Sequence, residues 1–476
     1  LEEVEMMQRT TERRRKIRRR IAKGFVSSLM GVMMLGTFWS GLPAAEEKST
    51  VEEILDILQS RGVINEQEYQ ELLDRAKAEA ESAAGQQPSN TFRVFWKDGL
   101  RMETSDDAFQ LRLGGRIMAD FASINADSDT ENFFGDDEDF GHGGEIRRAR
   151  LYMQGTLYDS VEFKTQFDFA GGEVEPKDIY LGLKGIPYIG RIRVGHLKEP
   201  VSLEQMTSTK YITFMERSLM DALIPGRNLG VSIFDNPLND RLGWSFGFYR
   251  DVNDEISDGF SDQDKYNLAV RLRGLPWYAE EGRKLLHLGL SYSHKFRSES
   301  DGTTLRFRSR PEAHLSPFYY VDTGDFLTSG VDLINPELAL VYGPFSFQGE
   351  YALAMVDRSL PNPDFWGFYV YGSYFITGEN RVYKGGDFDR VKPKHNFLAE
   401  GGGLGAWEVA LRYSYLDLAD AGLGTVNGQG GKLGDLTFGL NWYLNPNVRW
   451  MFNYVYADLD EVGDTNIFET RFQIDF

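Results

Sequence analysis

No cysteine occurs among the 476 residues. Neither a disulfide framework nor a thiolate metal site is therefore available, and the absence suits a chain that crosses an oxidising compartment unfolded. Positive charge is in deficit: 52 Lys and Arg stand against 72 Asp and Glu, a formal net charge of −20. That balance argues against a nucleic-acid binder working by gross electrostatics. Histidine is scarce and scattered, at His142, His196, His287, His294, His314 and His395. No serine joins one of them in a recognisable hydrolase constellation, so neither an enzyme nor a cofactor is expected. After residue 45, no stretch is apolar enough for a transmembrane helix.

What the chain has is glycine and aromatics: Gly 50, Phe 33, Tyr 23 and Trp 8. That composition favours strands joined by many turns. Residues 1–45 read as a secretory signal. A basic run from Arg13 to Arg20 precedes a mostly apolar Gly24–Leu42, and Pro43-Ala44-Ala45 supplies small residues for cleavage. Residues 46–84 read as a helical hairpin or coiled-coil segment in the periplasm. Ser49 with Glu52 and Asn65 with Glu68 fit two capping boxes, and Gly62 fits the left-handed end between them. Residues 85–107 read as a linker followed by a short hairpin through Lys97-Asp98-Gly99.

From residue 108 to 476 the apolar pattern has period 2, the signature of strands with one apolar and one polar face. In the last strand, Phe468, Phe472, Ile474 and Phe476 share a face opposite Glu469, Arg471, Gln473 and Asp475. Further strands are predicted near Arg191, Leu229, Arg241, Asn267, Leu285, Thr304, Asp332, Phe345 and Trp366. Sixteen to eighteen such segments are long enough to cross a bilayer at a tilt. A closed barrel is the β arrangement that satisfies every backbone group inside lipid. The expected fold is therefore an all-β transmembrane antiparallel barrel of about 16 strands, with 18 as the alternative. Tight turns such as Tyr158-Asp159-Ser160 are assigned to one rim. Long connections, Asp127–Gly144 with its Asp136–Asp139 run and Gly378–Gly405 among them, are assigned to the other.

Leu113-Gly114-Gly115-Arg116, Ile146-Arg147-Arg148-Ala149-Arg150-Leu151 and Val194-Gly195-His196-Leu197-Lys198-Glu199-Pro200 resemble segments of the phosphate-selective porin O and P family. So do Ile212-Thr213-Phe214-Met215-Glu216-Arg217-Ser218 and Pro225-Gly226-Arg227-Asn228-Leu229-Gly230-Val231. The resemblance implies an outer-membrane porin of a Gram-negative bacterium with sixteen strands, usually a homotrimer, and an anion path lined by arginine and lysine. It also implies that Lys198–Arg227 folds inward, making Lys198, Arg217 and Arg227 candidates for a constriction. Phe472, Ile474 and Phe476 resemble the signal read by the barrel-assembly machinery.

Arginine on a lipid face costs about 2–4 kcal/mol near the midplane, so the polar faces should line the lumen. Guanidinium donates two parallel hydrogen bonds to an oxyanion and stays charged. The candidate anion path is Arg112 and Arg116, Arg148 and Arg150, Arg191 and Arg193, Arg271 and Arg273, then Arg306, Arg308 and Arg310 on a strand Thr304–Glu312. Passive diffusion of small anions, phosphate among them, is the expected function. A general or sugar-conducting porin is the alternative, with Tyr369, Tyr371 and Phe375 as stacking rings. A second alternative is a barrel anchor tied to peptidoglycan through the helices. Lipid and lipopolysaccharide are the surroundings expected in each case.

Overall fold

The computed structural model describes residues 50–85, 92–135, 140–252, 263, 265–399, 401–425 and 431–476. The proposed signal, Ser49 of the first capping box, most of the linker and the acidic run 136–139 lie outside the described residues. The chain separates into a helical unit up to Asn90 and a second unit from Thr91 to Phe476.

In the helical unit, α1 (Thr50–Ser60) and α2 (Glu66–Gly85) are joined by a tight turn. The second capping box is present: Asn65 N–H donates to Glu68 at 2.9 Å and Glu68 N–H donates to Asn65 Oδ1 at 3.0 Å. Two donors that the helix leaves unpaired are thereby satisfied. Gly62, at φ +68°, takes the left-handed turn after α1. Tyr69 Oη donates to Asp56 at 2.9 Å and ties the two helices together.

The second unit is built on one continuous sheet of eighteen strands, with three two-stranded pairs in its connections among the described residues. The hairpin β1 (Phe92–Trp96) and β2 (Leu100–Thr104) turns at Asp98 and Gly99, both at positive φ, and β2 pairs with the first barrel strand. Barrel strands β3 to β11 are Phe109–Ala126, His142–Leu157, Val161–Asp168, Glu175–Ile186, Gly190–Lys198, Arg227–Asp235, Leu242–Arg250, Tyr266–Ala279 and Lys284–Phe296. Strands β12 to β18 are Gly330–Tyr342, Phe345–Asp357, Asp364–Phe375, Ala406–Asp417, Lys432–Asn445, Val448–Leu459 and Gly463–Asp475. Each pairs antiparallel with the next. β18 returns to β3 with Asp475 opposite Arg116, and Gly115 and Phe476 exchange both backbone hydrogen bonds. The sixteen-stranded barrel is closed, with no open edge to satisfy in lipid.

Alternation sorts the side chains as expected. Phe121, Leu151, Leu181, Leu272, Leu411, Phe468 and Phe472 are exposed on the outer wall, while Glu469, Arg471, Gln473 and Asp475 are buried inside. Two expectations fail. Thr304–Glu312 is not a wall strand: only the pairs Thr304–Leu305 and Arg308–Ser309 are extended, within a connection folded into the barrel. Its apolar residues meet protein instead of lipid; Phe307 packs against Phe326 and Phe365 with ring centroids 6.1 and 5.7 Å apart. Period 2 reports two faces, and a loop crossing the lumen has two faces as well. The long connections also fail to share a rim. Residues 127–141 join the first two barrel strands at one end, whereas 376–405 follows the twelfth barrel strand, at the end that carries Tyr158–Ser160 and Phe476.

Candidate functional site: the lumen

Among the described residues, three connections enter the barrel: 199–226 and 297–329 from one rim, and 376–405 from the other. The first is the most firmly seated. It opens with a short helix, Leu203–Met206, whose N–H groups at Leu203 and Glu204 donate to Glu350 of the wall at 3.0 and 2.8 Å. Phe214, Met215, Leu219 and Met220 are fully buried inside the barrel. Arg449 donates to the Ile212 carbonyl at 2.8 Å, Asn441 to the Thr213 carbonyl at 2.8 Å, and Arg471 to the Met215 carbonyl.

These contacts fill one side of the lumen, along β13 to β18 and β3. Glu312, from the second inserted connection, accepts from Arg412 Nε at 3.0 Å, from Thr437 at 2.5 Å and from Ser414. Arg412 also reaches Glu204 at 3.4 Å. Arg471 bridges Asp120 and Glu216, each at 2.6 Å. Glu216 further accepts from Arg147 at 2.9 Å and Arg148 at 3.3 Å. Burial disfavours its charge, but the three guanidiniums outweigh burial and hold it well below the ordinary carboxylate range. Tyr369, Tyr371 and Phe375 point inward but are covered. Tyr369 binds Gln348 and Glu350, Tyr371 lies edge-on to Phe214 at 5.4 Å, and Phe375 packs on Tyr443 at 5.8 Å. They offer no free ring face to a sugar.

The other side stays open. A cavity of about 660 Å³ is lined by twelve arginine and lysine side chains and four aspartates. Arg116, Arg148, Arg150, Arg191, Arg193, Arg271 and Arg273 are all among them, as are Lys198, Arg217 and Arg227. Several have carboxylate partners: Arg150 with Asp168 at 2.6 Å, Arg193 with Glu162 at 2.7 Å, Arg191 with Glu162 at 4.0 Å, and Arg271 with Glu337 at 2.8 Å. Among the described residues, three others have only neutral partners. Arg116 donates to Thr209 at 2.5 Å, and Arg273 donates to Asn236 at 2.6 Å and to the Gly385 carbonyl at 3.1 Å. Lys198 donates to the carbonyls of Gln205 and Met206. Arg217, which pairs with Asp221 at 3.9 Å, also donates to the carbonyls of Glu204, Gln205 and Thr207, which makes it a clamp on the inserted helix as well as a lining group. Arg112 lies outside this cavity, donating to the Asp98 carbonyl of the β1–β2 turn and facing the Tyr152 ring at 5.6 Å.

A second cavity, of about 550 Å³, is lined by Lys265, Lys295, Arg306 and Arg308 together with Asp251 and Asp325. Arg227 lines both cavities, and its Nε donates to Asp178 at 2.7 Å. Arg306 is paired with Asp322 at 2.7 Å. Arg308 and Arg310 lie over Tyr319, 4.0 and 4.2 Å from its ring centre. Arg310 lines neither cavity and donates to the Ser316 carbonyl at 2.8 Å. The expected three-arginine wall is thus a loop with one ion pair and one shared ring.

Sequence reasoning missed Lys164, Asp178 and Lys384. Lys164 pairs with Asp178, which sits between it and Arg227. Lys164 stands between Phe163 and Thr165, and Asp178 precedes Ile179, so alternation carries the signal of both. Lys384 lies on the inserted hairpin of 376–405, where no alternation pointed inward.

Residues 111–476 match the family described as Phosphate-selective porin O and P. Porin O of Pseudomonas aeruginosa is 28% identical over 408 residues, covering 78% of this chain and 88% of that protein. An uncharacterized protein of Caulobacter vibrioides is 29% identical over 396 residues, covering 80% and 77%. Among solved structures, an anion-selective porin from Comamonas acidovorans aligns over 77% of this chain and 100% of its own, with TM-score 0.49 and 12% identity. OmpT of Vibrio cholerae aligns over 78% and 98%, with TM-score 0.48 and 13% identity. The closed barrel and its apolar outer wall belong in the outer membrane of a Gram-negative bacterium, and both fold and family are those of a channel. The chain belongs to the phosphate-selective porin O and P family.

Proposed function

We propose that this porin passes small anions, phosphate among them, by passive diffusion along the open side of its lumen. The observation that carries the reading is the lining of the larger cavity, where twelve cationic side chains face four aspartates. In a lumen of low dielectric such an excess attracts anions and repels cations. Arg116 and Arg273 support the reading most, because their partners are neutral oxygens and their charge stays available to a solute. Arg227, lining both cavities, is the natural point of transfer between them. The many weaker sites let an ion leave, where one tight site would trap it.

The working unit in this reading is a homotrimer, with residues 1–45 removed on export and the helical segment standing in the periplasm. Planar-bilayer recording of the purified porin tests the reading. In a tenfold potassium chloride gradient the reversal potential should carry the sign of chloride permeation, and millimolar phosphate should reduce chloride current. Cation preference, or current indifferent to phosphate, would reject it.

A further inference from the structure

The connection 376–405 has two lobes on opposite sides of the wall. The inner lobe is the hairpin Val382–Lys384 with Asp387–Asp389. It lies in the lumen, with Asp387 on Arg271 at 3.3 Å, the Gly385 carbonyl accepting from Arg273 at 3.1 Å, and Tyr383 hydrogen-bonded to His287 at 2.8 Å. The outer lobe runs over the outside of the same rim. Phe397 N–H donates to the Leu444 carbonyl at 2.7 Å, and its ring meets Trp442 edge-on at 4.8 Å. The indole N–H groups of Trp407 and Trp442 both donate to the Leu404 carbonyl, at 3.2 and 2.9 Å.

Trp407, Trp442 and Trp450 form a row on the outer wall, with successive centroids 4.9 and 6.4 Å apart. Tryptophan gathers where a bilayer meets water, so this row marks the membrane boundary at the rim of the short turns. The lobe clamped to that row carries Leu398, 80% exposed, and Leu404, 68% exposed, with Ile376 beside them at 61%. Leu398 is held at φ +57°, a left-handed backbone that a leucine rarely adopts. Strain of this kind persists where the surroundings over-determine it and marks a candidate functional residue. Lys392 and Lys394 flank the lobe and are exposed. Apolar tips with lysines beside them suit the boundary between acyl chains and anionic headgroups.

The geometry points to a phospholipid anchor: the outer lobe seats Leu398 and Leu404 in the leaflet at this rim and steadies the hairpin that the same connection places in the lumen. The link between lobes is short and held at both ends. Arg390 is paired with Asp475 at 2.5 Å, and Lys394 N–H donates to Glu379 at 3.0 Å. Only the steadying of the hairpin rests on the porin reading; the lipid contact does not.

Because the chain has no cysteine, Leu398→Cys gives a single labelling site in the whole porin. Labelled with a small fluorophore and reconstituted in phosphatidylethanolamine–phosphatidylglycerol vesicles, it should be quenched at least twofold by lipids brominated near the headgroup and barely by aqueous iodide. Asp159→Cys, in an exposed turn of the same rim, should show the reverse. Iodide quenching at Leu398→Cys equal to that at Asp159→Cys would overturn the anchor. So would label-on-label quenching that grows with labelling ratio, since a second copy would then cover the lobe. In bilayer recordings, Leu398→Glu with Leu404→Glu should keep conductance within twofold and raise open-channel noise severalfold. Unaltered noise would overturn the steadying role. Lipid quenching in a protein that conducts nothing would leave the anchor standing and overturn the porin reading instead.

Discussion

The two sides of the lumen are built from the same alternating strands and do opposite things. On the filled side, Arg412 and Arg471 are completely buried and bound to Glu312, Glu204, Asp120 and Glu216. On the open side, Arg116 and Arg273 face a cavity with, among the described residues, only neutral oxygens as partners. Both pairs of arginines occupy inward positions on wall strands, so direction alone does not separate them. What separates them is whether an inserted connection brings a carboxylate. Glu216 and Glu312 arrive on connections folded in from one rim and convert arginines of the wall into seats for those connections. Where neither an inserted connection nor a neighbouring wall strand supplies an acid, as at Arg116 and Arg273, we read the charge as available to a solute.

Arg412→Ala should have the largest effect, and on the fold. It leaves Glu312 and Glu204 without their guanidinium in a site closed to water. Removing one partner of a buried ion pair typically costs about 3–5 kcal/mol. The expected outcome is a drop in the temperature at which the barrel loses its folded electrophoretic mobility, with larger and noisier conductance as 297–329 leaves the wall. An unchanged transition would mean that the filled side is not held by this network.

Arg227→Ala should spare the fold and strike conduction. Asp178 keeps Lys164 as a partner, so burial of an unpaired acid is avoided. The loss falls on the step between the two cavities. Phosphate block of chloride current should weaken severalfold while the unfolding temperature holds. A block equal to that of the unaltered porin would remove Arg227 from the path and leave the transfer to its neighbours.

How much of this was legible in the sequence follows from how local each signal is. The last strand declared both its faces because each residue's neighbours two positions away decide them. The Asn65–Glu68 box and the Lys97-Asp98-Gly99 hairpin are equally local, and all three stand in the structure. Arg148, Arg150, Arg191, Arg193, Arg271 and Arg273 reached the cavity because strand alternation fixed their direction. The inserted connections carry no such signal. Arg306 looked like a wall residue because Leu305 and Phe307 flank it, yet Phe307 is buried and Leu305 half-buried against other parts of the lumen. Arg217 was expected in a constriction, and three backbone carbonyls claim its donors. Tyr369 and Tyr371 were expected to present rings to the pore, and residues of 199–226 lie over them. These side-chain misses come from contacts between parts of the chain far apart in sequence, or from a loop folding back on itself.

The pair Arg306–Asp322 gives the gentlest test of whether available charge, and not arginine as such, makes the open side work. Burial opposes the charge on Asp322, but the hydrogen bonds from Arg306 and the Gly324 N–H outweigh it and hold the carboxyl below its ordinary value. A lowered folded-state value means the pair's stabilisation is fully present above about pH 4. It fades only as pH falls through the lower value, so in a neutral medium Arg306 stays neutralised. Asp322→Asn should release it at pH 7 and raise the anion-to-cation permeability ratio by less than twofold, with the unfolding temperature hardly moved. The same change should abolish any rise in that ratio that the unaltered porin shows below pH 4. A fall in the ratio at pH 7 would mean that Asp322, and not Arg306, governs entry to the smaller cavity.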